Sequence, residues 1–199
     1  MNSLDERVRH LFEITIANQI ALVDVIADPL VIAGQRLVRC LLNDGKIFVC
    51  GVGASAANAM HFSAAMLHHF EMDRPPLPVI NLVCDVPLLT AGFNEGHAEQ
   101  IFTRQIQALG QEQDVLIVLS TAGHATCMLQ TIDSAHDRGL DVIALTGRDG
   151  GLLANHLGPE DIELRVPGDS SARIRETHLF LLHCLCDAIE QSLFGQLAG

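Results

Sequence analysis

Basic residues are scarce in this chain: 12 Lys and Arg stand against 24 Asp and Glu, for a formal net charge of −12. A direct grip on nucleic acid needs Lys and Arg clustered on one face, so that class of partner is excluded. A protein partner with a basic patch stays open. The first residues, Met1-Asn2-Ser3-Leu4-Asp5-Glu6-Arg7, are charged and contain no signal-peptide core. No apolar run approaches the length of a membrane span, so no membrane partner is expected. The six cysteines, at positions 40, 50, 84, 127, 184 and 186, form no Cys-x-x-Cys pair and lie mostly within apolar runs. Buried, reduced thiols in a cytoplasmic protein are the expectation. There is no internal repeat and no low-complexity linker. What is present is 199 residues, 49% of them hydrophobic, enough for one domain with its own core.

The hydrophobic pattern alternates between two kinds of segment. Ser3-Leu4-Asp5-Glu6 has capping-box spacing and opens a helix to about Ala27. Asp28-Pro29 reads as an N-cap followed by proline at the first position of a second helix, which ends at Asn43-Asp44-Gly45. Five nearly continuous Val/Ile/Leu runs follow, at about 46–50, 79–83, 115–119, 141–145 and 161–166. Strands covered on both faces read this way. Helical segments separate them, so the fold class is α/β with parallel strands and right-handed crossovers. A last helix spans about 172–193.

Two of the strands run into loops rich in small residues. Lys46-Ile47-Phe48-Val49 leads into Cys50-Gly51-Val52-Gly53-Ala54-Ser55, and Val115-Leu116-Ile117-Val118-Leu119 leads into Ser120-Thr121-Ala122-Gly123-His124-Ala125-Thr126. Each is followed by a helix. Glycines let backbone N–H groups crowd an anion, and the helix N-terminus adds positive potential. In open α/β sheets ligands sit beyond the carboxyl ends of strands, so the two loops are expected to line one crevice. Gly53, Ser55, Ser120, Thr121, Gly123, His124 and Thr126 are the candidate anion-binding residues. Helix capping is the competing role for the hydroxyls. A dinucleotide fingerprint fits worse, because Asp85 is the one acidic candidate after the next strand. The expected ligand is therefore a small phosphorylated sugar, with no cofactor.

In combination and order, several stretches resemble the sugar isomerase (SIS) domain family. They are Gly51-Val52-Gly53-Ala54-Ser55, Asn58-Ala59-Met60-His61-Phe62, Arg74-Pro75-Pro76-Leu77-Pro78, Ser120-Thr121-Ala122-Gly123, Ala144-Leu145-Thr146-Gly147-Arg148-Asp149-Gly150-Gly151 and Ala172-Arg173-Ile174-Arg175-Glu176-Thr177-His178. The resemblance is to the phosphoheptose isomerase group and to the DnaA initiator-associating (DiaA) group. It covers the whole chain as one domain, with residues 1–44 a helical extension and 45–199 the sugar-phosphate-binding core. It implies a five-stranded parallel sheet of flavodoxin-like type and a homotetramer assembled with the help of the N-terminal helices.

The active isomerases of this family convert sedoheptulose 7-phosphate to a heptose phosphate through an enediol, which needs a base and an acid. The family pattern implies a His-x-x-x-Glu pair, plus a Gln and a His eight residues apart on the last helix. Some members place zinc among these side chains. Here His61 and His183 occupy the two histidine positions, but Ala65 stands for the glutamate and Arg175 for the glutamine. Alanine takes no proton, and loss of a positioned base costs on the order of 10²–10⁴-fold. Arginine stays charged and is no metal ligand. It is expected to repel zinc, to lower the pKa values of His61 and His183, and to favour an anion. No metal and no intact catalytic set are therefore expected.

The last helix ends on Leu193-Phe194, a candidate anchor for a protein partner. Taken together, these features favour a non-catalytic, DiaA-like regulator that binds a phosphosugar-like anion and the initiator DnaA. The alternative is D-sedoheptulose 7-phosphate isomerase or another ketose–aldose isomerase. The second alternative is a phosphosugar sensor.

Overall fold

Every apolar run read as a strand is a strand in the computed structural model, which describes residues 3–195. The strands are β1 (Ile47–Gly51), β2 (Val79–Asn81), β3 (Val115–Ser120), β4 (Asp141–Gly147) and β5 (Ile162–Val166). They form one parallel sheet in the order β2-β1-β3-β4-β5. β1, β3 and β4 are buried almost throughout, as strands covered on both faces must be. The edge strand β5 instead alternates, turning Glu163 and Arg165 outward to pair with each other.

The alternating side chains of each strand feed two cores. Val49, Ile117, Leu119 and Leu145 pack under α1 (Leu4–Leu42), α2 (Ala54–Leu67) and α7 (Ser171–Phe194). Phe48, Leu116, Val118 and Val142 face the other way, toward α4 (Thr103–Leu109), α5 (Thr126–Asp137) and α6 (Gly151–His156). α3 (Val86–Asn94) and a 3₁₀ turn at Ala98–Gln100 cover the carboxyl end of β2.

The N-terminal region departs from the reading of two helices. The capping box at Ser3 and Glu6 forms, but α1 then runs through Pro29 without a break for 39 residues. Its buried residues Leu22, Ile26, Ala33, Leu37 and Cys40 hold one stripe in register on both sides of the proline. Packing of that stripe on α7 and β5 outweighs the one backbone hydrogen bond that proline removes. Asp28 is inside the helix and caps nothing. Among the described residues, α1 is also long and apolar enough, by length and composition alone, to cross a membrane. This departs from the expectation that no apolar run approaches that length, because the helix gathers apolar residues that are separated along the chain onto shared faces. Phe12, Ile16, Ile20 and Val23 lie exposed on one of them.

All six cysteines are free thiols. Cys40, Cys50 and Cys186 are buried and Cys127 and Cys184 half-buried, whereas Cys84 is exposed, against the expectation for buried thiols. Burial pushes the Cys186 thiol up to about 12, aided by the Glu190 charge.

Candidate active site

The sheet order reverses between β1 and β3, so the loops that follow them emerge side by side. Gly51 must be glycine, because a Cβ there would lie 2.7 Å from the backbone of Ser55 as β1 turns into α2. Gly53 takes a positive φ of 61° and is the N-cap of α2, with no side chain bound to the free amides. In the second loop, the Ser120 hydroxyl accepts the Gly123 N–H at 2.9 Å. Gly123 has a φ of 68°, and a Cβ on it would run into the carbonyl of Gly150. Ala125 is the N-cap of α5 and again supplies no side chain.

Gly53 and Thr126 line a common cleft of about 510 Å³. Its walls are otherwise largely apolar, with Val52, Met60, Phe93 and Phe102 among them and Glu99 as the charged side chain. Ser55 is buried at the start of α2. Thr121 turns toward the N-terminus of α7, its hydroxyl 3.5 Å from that of Ser171. His124 leaves the group: it lies in a separate polar depression with Arg148, Asp149 and Asp169. Of the expected anion-binding residues the cleft is therefore lined by Gly53 and Thr126, whereas Ser55, Ser120, Thr121, Gly123 and His124 do not line it. Asp85 caps α3 by accepting the Leu88 N–H at 3.0 Å, which settles its role as local.

The two family histidines meet between α2 and α7. Nε2 of His61 and Nε2 of His183 are 2.8 Å apart, and the rings are 4.9 Å apart at their centroids. Phe70 packs on His183 at 5.3 Å. Burial holds the His183 pKa below its ordinary value, His61 adds to the lowering, and the nearby Glu71 carboxylate opposes it. Ala65, one turn beyond His61, is buried, and its carbonyl accepts from the Arg74 guanidinium at 3.0 Å.

Arg175 is half-buried two turns before His183, and its own carbonyl accepts from the Asn58 side chain at 2.9 Å. Among the described residues its guanidinium has no hydrogen bond or ion pair. Glu176, the expected neighbour, pairs with Arg173 instead. The charge of Arg175 falls on His178, three residues further along α7, and not on His183 as anticipated; the His178 ring is buried with its Nε2 2.8 Å from the Thr146 carbonyl of β4.

Zinc does not fit this donor set. Two Zn–N bonds at a tetrahedral angle separate the nitrogens by roughly 3.3 Å, more than these rings allow as they stand. Ala65 and Arg175 supply no further ligand. Among the described residues no group of three or more His, Cys, Asp or Glu side chains could hold a metal ion.

One feature was not anticipated from the sequence. Arg74 and Glu190 are both 1% exposed and form a buried ion pair at 2.9 Å. The Glu190 carboxylate also accepts the backbone N–H groups of Phe70, Glu71 and Met72 at 2.9–3.0 Å. Arg74 donates in addition to the carbonyls of Ala65, Met66 and Pro75. The available signal was a glutamate in the buried stripe of α7 formed by Leu182, Cys186 and Ile189. At the end of α7, Leu193 packs half-buried against the core and Phe194 is half-buried too.

A parallel sheet in this order, with two glycine-shaped loops at its switch point and facing histidines on the helices beside it, defines an α/β domain with a cleft at the carboxyl ends of its strands. The model of the SIS domain matches residues 15–147, and the chain belongs to that family. Within it the chain falls in the phosphoheptose isomerase group. It is 47% identical over 191 residues to phosphoheptose isomerase of Coxiella burnetii, covering 96% of each chain. It is 47% identical to that of Halorhodospira halophila, covering 98% of each. Solved structures agree: phosphoheptose isomerase from Francisella tularensis superposes with a TM-score of 0.91 at 45% identity, covering 96% of this chain and 100% of that one. Phosphoheptose isomerase GmhA from Neisseria gonorrhoeae gives 0.88 at 40% identity, covering 94% and 99%.

These likenesses overturn the expectation of a non-catalytic, DiaA-like regulator of DnaA. That reading rested on two lost side chains, Ala65 and Arg175. Near-complete coverage by proteins that bear the enzyme's name outweighs it, and the two imidazoles that remain are paired in space.

Proposed function

We propose that this chain is a ketose–aldose isomerase acting on a sugar phosphate, with sedoheptulose 7-phosphate as the first substrate to test. The observation that carries the reading is the full-length likeness to phosphoheptose isomerases at 47% identity. The site supplies chemistry that suits it. Neutral His183 removes a proton from C1 of the ketose, giving an enediolate; the O1 proton passes to O2, and His183 returns its own proton to C2, leaving an aldehyde at C1 and a hydroxyl at C2. Its depressed pKa keeps it unprotonated at neutral pH, ready to act as base. His61 holds the other end of the 2.8 Å contact and fixes the ring. The uncapped amides of α2 and α5 suit the phosphate, and the unpaired Arg175 guanidinium suits an anion or the developing enediolate oxygen. Six free thiols fit a reducing, cytoplasmic setting.

The purified protein, incubated with sedoheptulose 7-phosphate, is expected to produce new anomeric proton signals. His183→Asn is expected to lower the rate by at least about 10²-fold. No turnover by the unaltered protein, with the phosphosugar shown to bind, would end this reading.

A further inference from the structure

Behind one wall of the cleft, a groove of about 300 Å³ runs between α4 and α5. We infer that this groove is a second binding site, for a neutral polyhydroxyl ligand of the class of unphosphorylated sugars. The inference goes beyond the isomerase reading and does not depend on it.

The sequence sets polar residues where two helices pack side by side. Gln100, Thr103 and Gln107 recur at helical spacing along the 3₁₀ turn and α4, and all three line the groove. Gln130, Asp133, Ser134 and Asp137 recur in the same way along α5 and line it from the other side. A solvated helix face would account for the glutamines and aspartates. It does not account for two hydroxyls. Thr103 is 8% exposed and Ser134 is 3% exposed, and neither Oγ has a hydrogen-bond partner among the described residues. A serine or threonine inside a helix can return its hydroxyl to a carbonyl one turn back. Thr131 of the same helix does so, donating to the Cys127 carbonyl at 2.5 Å. Ser134 leaves that bond unmade. A buried hydroxyl without a partner is costly, and a ligand that bonds it recovers the loss.

The donor set selects the ligand class. No Lys or Arg lines the groove and two carboxylates do, which disfavours an anion. The Asp133 carboxylate is fixed by His156, whose Nδ1 lies 3.0 Å from its Oδ1. A metal ion or an ammonium group would use acceptors alone and leave the N–H groups of three glutamine amides idle. Glutamine amides and the two hydroxyls each donate and accept, as sugar hydroxyls do. The volume is at the lower end of the ~300–1,000 Å³ common for small-molecule sites, which limits the ligand to about the size of a monosaccharide. The wall is shared: Glu99, Ile101 and Phe102 line the cleft, and Gln100 and Thr103, interleaved with them, line the groove.

Backbone amide signals, followed by NMR during titration with D-glucose, D-mannose and unphosphorylated sedoheptulose, test the assignment. Saturable shifts at Thr103, Gln130 and Ser134 are expected with at least one of these sugars. Ser134→Ala and Thr103→Val each remove only an unpartnered hydroxyl. Both are expected to melt no lower than the unaltered protein, yet to weaken sugar binding by about 10-fold. Gln130→Leu, at a half-buried position, is expected to weaken it similarly and repeats the test should either of the other two variants unfold. No saturable shift at these residues with any of the sugars would mean that water alone meets the hydroxyls, and overturns the inference. A response to magnesium chloride or putrescine with the sugars silent overturns the ligand class. Shifts confined to Gly53 and Thr126 place the sugars in the cleft and overturn the site, as does undiminished sugar affinity in the folded variants. Turnover of sedoheptulose 7-phosphate, present or absent, leaves each of these outcomes readable.

Discussion

His178 is buried with its Nε2 2.8 Å from the Thr146 carbonyl and its Nδ1 without a partner. Burial pushes its pKa down to about 4, the Thr146 contact opposes the shift, and Arg175 reinforces it. A histidine lowered in the fold binds its proton more readily once unfolded. Its contribution to stability is therefore whole above about pH 6.5 and drains away as pH falls toward about 4. The stability advantage of the unaltered protein over His178→Asn is expected to shrink by about 3 kcal/mol between pH 7 and pH 4, measured by urea unfolding. A constant difference would mean that the ring is not held neutral. Position 65 offers a gain-of-function counterpart: Ala65→Glu is expected to raise isomerase turnover by up to about 10²-fold, read by the same anomeric signals. The residue identities at 61, 65, 175 and 183 were legible through family resemblance. The direction of the Arg175 charge was not, since it depends on which ring of the neighbouring histidines is buried beside it, and that is the one α7 turns onto β4 at Thr146.

The loop between α2 and β2 is held by the Arg74–Glu190 pair more than by local turn chemistry. Burial works against the charged form of Glu190, but three backbone N–H groups and Arg74 hold its carboxyl below the ordinary range. Glu190→Gln leaves the Arg74 guanidinium buried without a counter-charge, and is expected to cost about 3–5 kcal/mol in urea unfolding. Strand positions were readable because fully covered strands leave unbroken apolar runs, as in Val115–Leu119. Pro29 was misleading for the opposite reason. A local breaker loses to a stripe that stays in register along α1, and register along a helix is visible only once the surface it packs on is known. The apolar lining of the cleft was illegible for the same cause, being assembled from α2, α3 and α5 together.

Across the whole molecule, α1 leaves an apolar face unpartnered within one chain. Phe12 and Ile20 are each 68% exposed, with Ile16 between them on the same face. Farther along, Ile20 and Val23 share a groove with Phe180 and Cys184 of α7. A homotetramer built on such a face is what the resemblance implies, and the face is where to test it. Phe12→Asp with Ile20→Asp is expected to lower the mass seen by light scattering to that of a single chain, with the helical content preserved; an unchanged mass moves the interface elsewhere. The sequence contains neither tryptophan nor tyrosine, so the molecule is nearly silent in near-ultraviolet absorbance and intrinsic fluorescence. Because Cys84 alone among the thiols is exposed, beside the carboxyl end of β2, a maleimide dye has one ready point of attachment. The protein thus carries its own labelling handle, and changes beside the cleft can be followed optically without engineering a single residue.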